Sequence, residues 1–208
     1  MMESKFMRIV CSVLFCTFAF CYLFFFQADV MTVTQHLASG GQTFYSPLPG
    51  AVLITFTLKL LQTGVSSLAK LSKRGFALTY FPSFLFLTIL SDIRPSAEGV
   101  TFGAWLWTAP LLLVAYVLVV AAVRRYEPYE PELRSYGPLS QLTWNSLLMF
   151  LVFILFTGVF SNTDRWFHQR ARVEALIDRK DYSGALDVVR TMHRADSVIS
   201  MLTVYAVA

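Results

Sequence analysis

The stretch FMRIVCSVLFCTFAFCYLFFF, residues 6–26, contains a single charged side chain, Arg8. A helix crossing a hydrocarbon layer about 30 Å thick needs about 20 apolar residues, and this run supplies them. A cleaved leader would have an apolar core of only about 7–15 residues, closed by a small-x-small site. Here the run ends Tyr22-Leu23-Phe24-Phe25-Phe26, with no such site. Lipoprotein processing at Cys21 is disfavoured too, because bulky Phe20 precedes it and the apolar run continues beyond it. The segment reads as an uncleaved membrane helix.

Four more apolar runs follow, at about 51–71, 76–92, 102–123 and 142–160. The chain is 56% hydrophobic and 14% charged, whereas soluble domains are nearer a quarter charged. Pro82 and Pro110 fall inside the runs; membrane helices tolerate proline because neighbours re-satisfy the freed carbonyls. The predicted fold class is all-α. A bundle of about five transmembrane helices occupies residues 1–160, and a short soluble helical hairpin occupies 161–208. Between the first two runs, Val30 to Leu37 is expected to form a short helix stopped by Gly40-Gly41. The repeated Tyr-Glu-Pro over 126–131 reads as a stiff linker.

Net charge is +4, but Lys and Arg sit in short segments between apolar runs, where orientation explains them better than nucleic acid does. With the N-terminus inside, the inner segments carry Lys5, Arg8, Lys70, Lys73, Arg74, Arg124, Arg125 and Arg134, and the outer loops only Arg94. The positive-inside rule therefore predicts a cytoplasmic N-terminus and, after five crossings, a periplasmic C-terminal segment in a bacterial inner membrane. Trp105 and Trp107 are expected at the outer interface, Tyr80 and Trp144 at the inner one.

Cys11, Cys16 and Cys21 recur every five residues, so each is rotated about 140° from the last on a helix and they share no face. They read as small apolar fillers rather than a disulfide or metal framework. His36, beside Ser39 and two glycines, has no second ligand or oriented nucleophile in the pattern, and His168 and His193 read as exposed helix positions. Asp92, Arg94 and Glu98 read as a solvated turn. No cofactor is expected.

The most informative polar pattern lies in the second run. Thr55, Lys59, Gln62, Ser66 and Lys70 are spaced by four, three, four and four, one helical face that Thr63 and Ser67 widen. A lysine in mid-helix costs roughly 2.5–3.5 kcal/mol if left in lipid. The face must therefore look into the bundle, a wet groove or a partner. Two roles remain open: interhelical hydrogen bonding, or an anionic ligand site.

In the tail, Asn162 or Thr163 can cap a helix whose apolar stripe is Trp166, Val173, Leu176 and Ile177. The following Lys180-Asp181-Tyr182-Ser183-Gly184-Ala185-Leu186, then Val188, Val189 and Met192, resembles the second helix of a tetratricopeptide repeat. That resemblance implies packing roles for Tyr182, Ala185, Leu186 and Val189. Met192 and Ser197 depart from it, standing where the repeat has alanine and proline. The apolar pattern stops at Ala208 in mid-helix, and one repeat cannot bury its own face. The expectation is a longer native chain, or a second chain completing the surface.

The whole arrangement resembles a family of uncharacterised multi-pass membrane proteins of Bacteroidota. The resemblance rests on Gln35 to Gly41, Gly50 to Thr55, Ala77 to Ser83, Phe102 to Trp105 and the Asp181 to Leu186 stretch. It implies topology and location, not site residues. The expected function is a non-enzymatic anchor in the lipid bilayer, presenting a helical surface to protein partners. The alternative is an enzyme or transporter acting on an envelope lipid or glycan, with its site near Lys59 and the 27–50 loop.

Overall fold

The computed structural model describes residues 2–43, 45–71, 75–96, 99–126, 141–162, 165–178, 180–192, 200–201 and 203–204. Lys73, Arg74, Glu98, Arg134, Thr163, His193, Ser197, the Tyr-Glu-Pro repeat beyond Tyr126 and most of the terminal apolar stretch lie outside these residues.

Helix α1 covers Met2–Cys21 and passes into a π-helical turn over Tyr22–Phe26; a short α2 follows at Ala28–Ala38. Gly40 and Gly41 end it with φ of 60° and 84°, a left-handed backbone that only glycine adopts without cost. Helix α3, Pro47–Ala69, starts four residues before the expected boundary. Ser46 is extended and Pro47 occupies the first turn, where its missing N–H costs nothing. Lys70 closes α3 in the left-handed region at φ 45°.

A 3₁₀ turn over Phe76–Tyr80 leads into α4, Phe81–Ser91. A two-stranded antiparallel sheet, β1 Arg94–Ser96 and β2 Gly99–Thr101, interrupts the run of helices. It stands where the sequence suggested only a turn. Helices α5, Trp105–Tyr126, and α6, Gln141–Phe160, complete the bundle; α7, Arg165–Asp178, and α8, Tyr182–Arg190, form the tail.

Among the described residues four helices are long and apolar enough to cross a membrane: Phe6–Phe26, Pro47–Ala69, Trp105–Tyr126 and Thr143–Phe160. The fifth apolar segment, Phe76–Ser91, is shorter. Its 3₁₀ start helps, since 3₁₀ residues rise about 2.0 Å and α residues about 1.5 Å, giving about 26 Å in all. It runs the height of the bundle. At one end the Arg8 guanidinium lies 5.0 Å from the centre of the Phe76 ring. At the other the Asn162 amide donates to the Ser91 carbonyl at 3.2 Å.

This short segment is also the centre of the bundle. Phe84, Leu85, Leu87, Thr88 and Ser91 are fully or nearly fully buried. Phe84 meets Phe15 edge-on at 5.2 Å and Phe150 at 5.7 Å, which joins α1, α4 and α6 around one aromatic core. Hydroxyls add cross-links: Ser83 donates to the Leu58 carbonyl at 2.8 Å, and Thr88 to Thr157 Oγ1 at 3.1 Å. By contrast no residue of α5 is buried. An apolar helix left this open needs an apolar surrounding.

Candidate functional site

Lys59 sits twelve residues into α3, about 18 Å along the axis from Pro47. Its neighbour on the same face is Gln62, whose Oε1 accepts from the ammonium at 2.5 Å. From α1, Ser12 Oγ accepts at 2.8 Å; from the 3₁₀ turn, the Tyr80 hydroxyl accepts at 3.2 Å. An ammonium has three N–H donors and no acceptor. Among the described residues all of its hydrogen-bond partners are neutral oxygens, one for each proton.

The partners are themselves tied down. Ser12 and Tyr80 share a hydrogen bond of 3.0 Å. Gln62 Nε2 donates to Thr79 Oγ1 at 3.0 Å, and Thr79 donates to the Phe76 carbonyl at 2.7 Å. The Lys59 nitrogen also stands 5.1 Å from the centre of the Tyr80 ring, within range of a cation–π attraction. Three separate helical segments therefore close around one charge. Three membrane hydrogen bonds at roughly 0.6–1.7 kcal/mol each offset a burial cost of roughly 2.5–3.5 kcal/mol. The clamp is close to neutral in energy while it ties α1, α3 and the 3₁₀ turn together.

The predicted polar face is thus partly assembled. Lys59 and Gln62 meet, Thr55 is buried, and Ser66 is half-buried. Thr63 and Ser67 are exposed and bond back to their own helix at the carbonyls of Lys59 and Gly64, so the face is narrower than the spacing suggested. Tyr80, expected as an aromatic anchor at the inner interface, is wholly buried within the protein beside Lys59. Ser12, Thr79 and Tyr80 were missed because they lie on other segments. For Thr79 and Tyr80 the sequence signal is the stretch Leu78-Thr79-Tyr80-Phe81, two hydroxyls inside an apolar run.

A second polar cluster lies where α1, α4 and α6 end. Tyr22 donates to Ser161 Oγ at 2.5 Å. Gln27 Nε2 donates to the Tyr22 hydroxyl at 2.9 Å and to the Asn162 carbonyl at 3.3 Å. His168 Nε2 is 3.0 Å from that same carbonyl, so it is a structural contact of α7 rather than a freely exposed side chain. Gln27, Ser161 and Asn162 are all buried. The junction holds the tail against the bundle.

Beyond it, α7 packs on α2, and α8 packs on α7. Ala185 is fully buried at the α7–α8 contact, Leu186 and Val189 are half-buried, and Tyr182 lies at the margin with 37% of its surface exposed. Asp181 caps α8, its Oδ1 accepting from the Gly184 amide at 3.0 Å. Between α2 and α7 lies a cleft of about 330 Å³ that His36 lines. The Asp92 turn is held by Arg94 at 3.2 Å and by the Trp105 indole N–H at 2.9 Å. Among the described residues no three His, Cys, Asp or Glu side chains are grouped to hold a metal ion.

No family model, no curated protein and no solved structure matches this chain, so its function is argued from its own residues.

Proposed function

We propose that the chain is an inner-membrane anchor whose five apolar segments all cross, and whose α2, α7 and α8 form a periplasmic module for protein partners. The observation that carries this reading is the buried junction of Tyr22, Gln27, Ser161 and Asn162, which fastens the tail to three helix ends. A tail held this way is a presented surface rather than a tether. The charge count of the loops supports an orientation with the N-terminus in the cytoplasm. The tetratricopeptide-like pattern of Tyr182, Ala185, Leu186 and Val189 supports recognition of protein rather than of a small substrate.

Lys59 bears on the rival reading, an enzyme or transporter. An anion-binding lysine needs a donor to spare, and here each proton has an acceptor. We therefore assign Lys59 to the clamp. Affinity capture with the full chain and with a version ending at residue 160 tests the anchor. Partners captured only by the full chain support it; identical partner sets contradict it.

A further inference from the structure

The cleft between α2 and α7 combines a largely apolar lining with one ion pair, and Thr32 and His36 stand on its α2 wall. Val33, Leu37, Phe167 and Ala171 supply apolar surface, and Arg170 and Glu174 supply the charges. A volume of about 330 Å³ suits a lipid headgroup and its first chain carbons. The Arg170 Nε donates to Glu174 Oε1 at 2.9 Å, and each side chain keeps about a third of its surface exposed, 36% and 33%.

Among the described residues this bond uses one of the five guanidinium N–H donors and one carboxylate oxygen. Opposite charges therefore stand side by side, each with capacity for a second partner. A simple anion attracted to Arg170 would be repelled by Glu174, and a simple cation the reverse. A ligand carrying a phosphate and an ammonium two carbons apart satisfies both.

The cleft is also placed for such a ligand. Helix α2 begins two residues after Phe26, where the first apolar run ends, and α7 begins five residues after Phe160, where the last one ends. On the membrane-anchor reading both walls therefore belong to helices that start next to the ends of crossing segments. We propose that this cleft seats the phosphoethanolamine headgroup of a bilayer phospholipid, with its apolar lining against the first carbons of the chains. The inference rests on the membrane-anchor reading given above.

The test uses the full chain in detergent, offered equal amounts of phosphatidylethanolamine and phosphatidylglycerol with matched chains, and read by native mass spectrometry. The expected result is a preference of about tenfold for the ethanolamine lipid, the size of one charged hydrogen bond. Glu174→Gln removes that preference while leaving phosphate binding, and Arg170→Gln weakens both lipids. Both variants lie on a surface pair, and an unchanged melting midpoint shows that they fold. Chain-free glycerophosphoethanolamine at the lipid concentration should displace little; full displacement would mean a soluble ester is the ligand and would overturn the lipid assignment. Equal binding of the two lipids to the unaltered chain, or a preference that survives Glu174→Gln, overturns the site. Either failure in a chain that still resists alkaline carbonate extraction from membranes sinks this inference alone; loss of membrane association sinks the anchor reading.

Discussion

If Lys59 is a clamp rather than a ligand site, removing the charge should do less harm than removing its partner. Lys59→Met forfeits three hydrogen bonds, together roughly 2–5 kcal/mol, but also removes a burial cost of roughly 2.5–3.5 kcal/mol. The net change lies between about 1.5 kcal/mol of stabilisation and about 2.5 kcal/mol of destabilisation, centred near zero. Gln62→Leu keeps the buried ammonium and takes away its shortest hydrogen bond, at 2.5 Å, while also stripping Thr79 of a donor. A lost bond to a charged group costs roughly 1.5–3 kcal/mol. At about 2–4 °C per kcal/mol, Gln62→Leu should lower the melting midpoint by roughly 3–12 °C. The double variant should melt near Lys59→Met alone, because an acceptor has no value once the charge is gone. Cys11, 1% exposed on α1 beside Ser12, reports the transition through a thiol-reactive dye. A Lys59→Met chain that melts as low as Gln62→Leu, or a double variant showing simple additivity, refutes the clamp.

Other consequences are independent of Lys59. A Cβ at Gly50 would overlap the Tyr45 ring, so Gly50→Ala should cost about 1–3 kcal/mol through overpacking, partly recovered by Tyr45→Ala, as thermal melting would show. Burial pushes the Tyr45 hydroxyl up to about 12, above an unfolded value of about 10, so the native state holds its proton where the unfolded chain has released it. Stability should fall as pH rises from about 10 to about 12, and Tyr45→Phe should remove roughly 2–3 kcal/mol of that fall. That hydroxyl has no hydrogen-bond partner among the described residues, so Tyr45→Phe should be neutral or stabilising at pH 7 when both proteins are melted side by side. Asp181→Ala removes the α8 cap, worth about 1 kcal/mol. Hydrogen exchange at the Gly184 amide should speed up by about fivefold, with the α3 amides unchanged.

The long apolar runs were legible because length and hydrophobicity are local properties. The end of α3 was placed two residues late, because the polar spacing continues through Lys70 while the backbone turns left-handed there. Phe76–Ser91 reads in sequence like any other crossing segment. Its central position shows only in three dimensions, where α3, α5 and α6 pack on it and Phe15 of α1 meets its Tyr80 and Phe84 rings. The Lys59–Gln62 face followed from helical spacing, but Ser12 and Tyr80 are 47 and 21 residues away in the chain. No periodicity within α3 could reveal them. The α2–α7 cleft was illegible for the same reason, since its walls come from segments separated by the entire bundle. The sheet of Arg94–Ser96 and Gly99–Thr101 was hidden by its shortness, three residues to a strand.

One arrangement underlies the proposed anchor: the ends of α1, α4 and α6 and the tail share a side, and the α3–α4 connection lies on the other. Compartment-sensitive tags inserted singly at Gly41, Lys70 and Met192 of the full chain measure this directly. The Gly41 and Met192 tags are expected to report the periplasm and the Lys70 tag the cytoplasm. Gly41 and Lys70 tags in one compartment, or Gly41 and Met192 tags in different ones, would contradict it.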